Sequence, residues 1–143
     1  MEAEFWHQRW QSSRIGFHRQ QVNAQLSEFW PRLSLSKQTE VLVPLCGKSR
    51  DMHWLAAQGH RVAGFELSPL AVQDFFTEAG LVPSLEQYGH YRCWQSGRIQ
   101  LYEGDFFLAD SLPRRFNAAY DRAALIALPE PMRIAYADLL ARL

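Results

Sequence analysis

Three short stretches of this sequence carry residues able to hold a small polar ligand: Leu45-Cys46-Gly47-Lys48-Ser49, Glu66-Leu67-Ser68 and Asp121-Arg122. Gly47-Lys48-Ser49 has the ending of a phosphate-binding P-loop, but that motif needs a glycine five positions before Gly47, and Leu42 stands there. A glycine-rich dinucleotide fingerprint is absent too, because Pro44, Leu45 and Cys46 carry side chains where a pyrophosphate needs bare backbone. Glu66 lies nineteen residues past Gly47. That is the spacing at which an acid accepts hydrogen bonds from ribose hydroxyls; otherwise it is a solvated acid at a strand end. Arg122 has a forked guanidinium suited to a carboxylate or a thiolate-like sulfur, the alternative being a salt bridge. Lys48 is expected to be solvated or to pair with a nearby acid. Cys46 reads as a small packing residue.

The elements that must position these residues follow from periodicity. Residues 1–36 read as helical, with helices over 4–13 and 20–30; Gly16 ends the first and Pro31 stops the second. Trp6 and Trp10 lie four apart on one face of the first helix. Residues 41–45 and 61–65 read as buried parallel strands. Helices are expected over 51–58, closed by Gly59, and after the Ser68 N-cap with Pro69 at its first position, closed by Gly80. Residues 91–95 and 98–103 flank Ser96-Gly97, a hairpin-type turn. Residues 117–121 read as a further strand and 129–143 as a final helix. Alternation at this spacing argues for an open, mostly parallel α/β sheet, whose ligands sit beyond the carboxyl ends of the strands. All three candidate stretches fall there. A ribose site without a phosphate cradle points to S-adenosylmethionine.

Composition sets the bounds. A chain of 143 residues suggests one domain and can bury roughly 68–70% of its unfolded surface. The formal net charge of +0, with Arg114-Arg115 as the only adjacent basic pair, argues against nucleic acid as the main partner. Neither a signal peptide nor a membrane-spanning run is visible. Cys46 and Cys93 lack zinc spacing, which suits a reduced, cytoplasmic protein with no metal. Aromatic residues make up 13%, including five tryptophans, enough for some rings to do more than fill a core.

The stretch VLVPLCGKSRDMHWLAAQGHRVAGFELS (41–68) closely resembles the thiopurine S-methyltransferases. So do FWHQRW and IGFH (within 5–18), QDFFTEAGL (73–81), IQLYEGDFF (99–107) and AAYDRAALIAL (118–128), all in the family's order. The resemblance implies a Rossmann-like class I methyltransferase fold, with helices on both faces of the sheet. It implies methyl transfer from S-adenosylmethionine to the sulfur of aromatic or heterocyclic thiols, leaving S-adenosylhomocysteine. Bacterial relatives are also associated with selenium and tellurium acceptors. Residue by residue, Trp10 matches a tryptophan lining the cofactor pocket, Leu45 the leucine at the first strand end and Glu66 the ribose-binding acid. Arg122 matches an arginine beside cofactor and substrate. Phe17 matches an aromatic over the pocket, and Asp105-Phe106 stands where class I enzymes contact adenine. Trp6 is expected in the core, and His18 as a structural or pocket-rim residue. A tryptophan over a sulfonium is worth about 0.5–2 kcal/mol.

The family's sheet has strand order 3-2-1-4-5-7-6, so this chain is expected to supply the 3-2-1-4 part plus a hairpin. Its single domain, 1–143, divides into a helical lid (1–36) and an α/β core (37–143), incomplete at the C-terminus. A monomer is expected at full length. Association through the exposed fourth strand is expected of this piece, whose own turnover stays open beside a cofactor-binding role alone.

Overall fold

Alternation within two short strands builds both cores at once. In β1 (Glu40–Pro44), Val41 and Val43 enter one hydrophobic cluster and Leu42 enters the other. In β2 (Arg61–Glu66), Val62 faces the first cluster while Ala63 and Phe65 face the second. Such strands, buried on both faces, read as near-continuous apolar runs because side chains alternate with a period of two. The two strands pair in parallel, Val41 opposite Val62 and Pro44 opposite Phe65.

The computed structural model describes residues 3–11, 21–122 and 124–143. Around β1 and β2 stand β3 (Ser84–Tyr88), β4 (Tyr91–Ser96), β5 (Ile99–Glu103) and β6 (Ala118–Ala119), in the order β3-β4-β5-β2-β1-β6. β5 and β6 run parallel to β2 and β1, whereas β3 and β4 are antiparallel additions at one edge. Counting only the parallel strands β1, β2, β5 and β6 in chain order, the sequence across the sheet is 3-2-1-4 as expected; the expected hairpin is β4 and β5, and β3 adds one strand beyond it.

The first face is covered by α2 (Ala24–Phe29), the 3-10 turn Trp30–Leu33, α3 (Asp51–Ala57) and α4 (Pro69–Glu78). They contribute Leu26, Trp30, Met52, Leu55, Val72, Phe75 and Phe76. α1 (Ala3–Gln11) lies against α4. The second face is covered by the 3-10 helix Phe106–Ser111, α5 (Ala124–Ala127) and α6 (Glu130–Arg142), with Phe106, Leu112, Leu128, Tyr136 and Leu139 buried. Ser68 caps α4 by accepting the Ala71 N–H (3.2 Å), with Pro69 at the first helical position.

Several elements differ from the sequence reading, among them α5, which it did not anticipate. The strand expected over 117–121 pairs with β1 only at Ala118 and Ala119, because the Asp121 side chain turns to accept the Ala124 N–H (2.9 Å) and leads the chain into α5. Pro31 does not end the second helical segment outright. It sits second in a 3-10 turn that starts at Trp30, in the first turn, where no N–H is needed. β3 is exposed along its whole length and shows no alternation; its pairing with β4 alone defines it. The 3-10 helix at Phe106–Ser111 was not expected either.

Gly64 sets the approach of strand and helix. A Cβ there would lie 2.7 Å from Leu101 Cδ2, 2.8 Å from Cys46 Sγ and 3.0 Å from Met52 Sδ, closer than real Cβ atoms come. Gly64→Ala is therefore expected to destabilise the chain by about 1–3 kcal/mol through overpacking. Urea melts measure this, and an unshifted midpoint would show that α3 and β5 yield without strain.

Candidate functional site

Parallel pairing places the carboxyl ends of β1, β2, β5 and β6 along one edge of the sheet. Every loop singled out in the sequence leaves from that edge.

The first loop makes two left-handed turns, at Leu45 (φ 50°) and Gly47 (φ 57°). Glycine takes this conformation freely, whereas for leucine it costs roughly 1–2 kcal/mol. Neighbouring bonds impose it. The Cys46 N–H donates to the Phe65 carbonyl (2.9 Å), and the Cys46 side chain is buried in the first core. With Cys46 so anchored, the backbone at Leu45 takes the left-handed turn, and the Leu45 side chain packs against the second core. Strain held at a strand end by its surroundings is typical of ligand-binding loops.

Glu66 ties this loop to the next. Its carboxylate, 7% exposed, accepts the Gly47 N–H at Oε1 (3.0 Å) and the Ser68 N–H at Oε2 (2.7 Å). A carboxylate has room for about four hydrogen bonds, so acceptor capacity is left beyond its backbone partners. Two adjacent carboxylate oxygens match a vicinal diol. Burial raises the Glu66 pKa, with the hydrogen bonds from Ser68, Gly47 and Leu67 pulling the other way. Burial, reinforced by Glu66, pushes the Cys46 thiol well above its ordinary value. A buried thiol held protonated is a poor nucleophile, which suits a packing role. Lys48 ion-pairs with Glu78 (2.6 Å) and Asp74 (3.9 Å).

The neighbours Asp121 and Arg122, past the end of β6, reach opposite faces of the sheet. Asp121 accepts the Tyr136 hydroxyl from α6 (2.5 Å) in addition to capping α5. Arg122 Nη1 donates to Asp51 Oδ2 of α3 (3.3 Å), and its side chain is 29% exposed. The salt bridge weighed for Arg122 thus exists, and the arginine side chain keeps partial exposure beside it.

After β5, Asp105 is exposed and caps the 3-10 helix by accepting the Phe107 N–H (2.9 Å). The Phe106 ring is buried against Phe65 and Tyr136. At this strand end, then, Asp105 is exposed, while its carbonyl accepts the Tyr91 hydroxyl (2.6 Å) and the Phe106 ring belongs to the second core. The side chains of Trp6 and Trp10 on α1, and the whole of Phe17 and His18, lie outside the described residues.

Sequence reasoning missed Asp51. It is fully buried (0% exposed) in the first turn of α3 and accepts from Asn23, Tyr120 and Arg122. The available signal was an acid four residues after the Gly47 turn, at the start of a helix.

Residues 1–143 match the thiopurine S-methyltransferase family. A thiopurine S-methyltransferase from Pseudomonas putida is 52% identical over 149 aligned residues, covering 100% of this chain and 67% of that protein. One from Shewanella baltica is 49% identical over 144 residues, covering 100% and 66%. The chain spans about two thirds of the length of these curated relatives. Among solved structures, a TehB-like SAM-dependent methyltransferase from Corynebacterium glutamicum aligns with a TM-score of 0.58 at 17% identity, covering 98% of this chain and 65% of its own. A glycopeptide N-methyltransferase complexed with sinefungin aligns at 0.61 and 18%, covering 92% and 53%. These distant likenesses establish the fold.

The raised pKa of Glu66 gives a signed expectation. Between pH 4.5, the ordinary glutamate value, and the raised value in the fold, the folded state keeps a proton here that the unfolded chain has released. Stability contributed by this site therefore falls as pH rises through that window. Glu66→Gln has no such titration. The unfolding free energy of the wild type minus that of Glu66→Gln should shrink as pH is raised from 4.5, read from urea melts at a series of pH values. A difference that grows with pH contradicts the assignment.

Proposed function

Because the chain belongs to the thiopurine S-methyltransferase family, we propose that it binds S-adenosylmethionine across the carboxyl edge of its sheet and serves methyl transfer to the sulfur of a small aromatic or heterocyclic thiol. The observation that carries this reading is Glu66: a buried carboxylate at the end of β2, fixed by backbone donors, with acceptor capacity left beyond them. When bound, S-adenosylmethionine supplies an electrophilic methyl group on a positively charged sulfur.

The roles of the chain's residues follow from their placement. Glu66 accepts the ribose hydroxyls. The outward-turned Leu45 backbone forms the floor between β1 and β2. Asp105 and the backbone at Phe106 border the adenine side. Arg122 directs its outward donors at a carboxylate or at an anionic acceptor sulfur. Trp10 and Phe17, assigned by family resemblance alone, lie over the ligand and exclude water from the sulfonium. Heterocyclic thiols ionise readily, so the acceptor needs placement more than a strong base. Placement can contribute up to about 7–11 kcal/mol. No protein nucleophile is required, in keeping with the buried, protonated Cys46.

Other observations bear on setting. Cys46 and Cys93 are free thiols, and no described helix is long and apolar enough to cross a membrane. With the balanced charge, these support a cytoplasmic protein whose partner is a small molecule rather than nucleic acid.

Calorimetry with S-adenosylhomocysteine tests the cofactor assignment. Glu66→Ala should bind about 10–100-fold more weakly than wild type, the worth of hydrogen bonds to a charged group, with circular dichroism confirming that the variant folds. Equal affinity would show that Glu66 does not hold the ribose. Incubating the purified chain with 6-mercaptopurine or thiophenol and labelled cofactor tests transfer: methylated product is expected. Cofactor binding without product would reduce the role to binding.

A further inference from the structure

Asp51 gathers three parts of the molecule on one buried carboxylate. Its Oδ1 accepts the backbone N–H of Asn23 (2.7 Å), the residue that caps α2. Its Oδ2 accepts both the Tyr120 hydroxyl (2.9 Å), just past β6, and Arg122 Nη1 (3.3 Å). Its own N–H donates to Ser49 Oγ (3.1 Å), fixing it to the loop that follows β1. The side chain has no exposure to solvent. A carboxylate so enclosed is strongly destabilising when unpaired, so its partners are held in place as firmly as it is.

Among the described residues, Asp51 is the only hydrogen-bond or ionic partner of Arg122. A guanidinium has five donors in a rigid fork. One meets Asp51, and with 29% of the side chain exposed others remain for a ligand. Without the Asp51 charge, a long arginine side chain at a loop would sample many rotamers and lose that aim.

We propose that Asp51 is a positioning residue, whose carboxylate holds the Arg122 guanidinium with its outward donors set for an anionic group of the ligand. This rests on the reading of Arg122 as a ligand contact. The same carboxylate fixes the entry to α2 through Asn23, so the helical segment before β1 and the end of β6 share one anchor beside the site. Asp51 itself touches neither cofactor nor acceptor.

A double-mutant cycle on the purified chain tests this, read by S-adenosylhomocysteine calorimetry with thermal melts alongside. Asp51→Asn keeps the shape but removes the charge and replaces one accepting oxygen with an NH2 donor. It should weaken binding about tenfold, the scale of one charged hydrogen bond. Arg122→Met should weaken binding at least as much. Adding Asp51→Asn to Arg122→Met should cost nothing further, because the effect passes through the guanidinium. Additive losses would mean that Asp51 acts as general scaffolding, and an unchanged affinity for Asp51→Asn would remove its role; either overturns the proposal. Undiminished binding by Arg122→Met would instead overturn the reading of Arg122 itself, and this inference with it. Should Asp51→Asn fail to fold, Tyr120→Phe decides. It leaves Oδ2 wholly to Arg122 and should bind at least as tightly as wild type, whereas a fivefold loss would show that the cluster serves the strand end and not the guanidinium.

Discussion

The sheet brings strand ends to one edge but does not by itself fix the loops that leave it. The buried Glu66 carboxylate supplies that constraint, holding the Gly47 N–H with one oxygen and the Ser68 N–H with the other. Two segments separated by a whole helix and strand are thereby set against each other. The loop after β1 can then keep a left-handed leucine, because the two residues that follow it, Cys46 and Gly47, are both pinned. The start of α4 is set by the same carboxylate, since Ser68 is both a Glu66 partner and the helix cap. Removing a carboxylate from water is expensive, and its backbone donors offset much of that cost. What remains uncompensated is the acceptor capacity that faces the sheet edge.

Asp51 repeats this arrangement on the far side of the same loop. Glu66 joins loop to loop, and Asp51 joins loop to α2, to Tyr120 and to Arg122. The segment from Gly47 to Asp51 thus runs between two buried acids, each satisfied by donors from other elements. The Tyr120 ring also packs edge-on against Trp30, which itself donates to His60 across the first core (3.1 Å). Polar anchoring and apolar packing meet at one strand end, so Arg122 leaves the sheet from a rigid base.

Much of this was legible in the residues. Val41 to Leu45 and Arg61 to Phe65 announced themselves as strands because parallel strands are buried on both faces and need apolar side chains throughout. Ser68-Pro69 announced a helix start, and Leu42 excluded a phosphate loop. Glu66 was placed by its distance from Gly47, by its position at a strand end and by the family resemblance. Asp51 was not found, because what distinguishes it is the convergence of donors from residues 23, 120 and 122, and no local pattern encodes that. β3 escaped for a different reason. Its residues are exposed throughout, and its conformation is imposed by pairing with β4. The Phe106 ring turned inward because the 3-10 helix after β5 presents it to Phe65 and Tyr136. A motif match fixes a position along the chain but not the direction in which a side chain points.

The shortness of β6 bears directly on the site. Only Ala118 and Ala119 pair with β1. The Tyr120 N–H still reaches the Leu42 carbonyl (2.8 Å), and there the chain turns away. Were the strand to run on through Asp121 as the sequence suggested, Asp121 and Arg122 would continue the pleat beside β1. Instead Asp121 is claimed from the second face, by the Ala124 N–H and the Tyr136 hydroxyl. Arg122 is claimed from the first face by Asp51. Opposite pulls on adjacent residues end the strand and at the same time carry Arg122 out over the carboxyl edge. The aim of Arg122 therefore depends on a tyrosine in α6, on the other side of the sheet, as well as on the acid it touches.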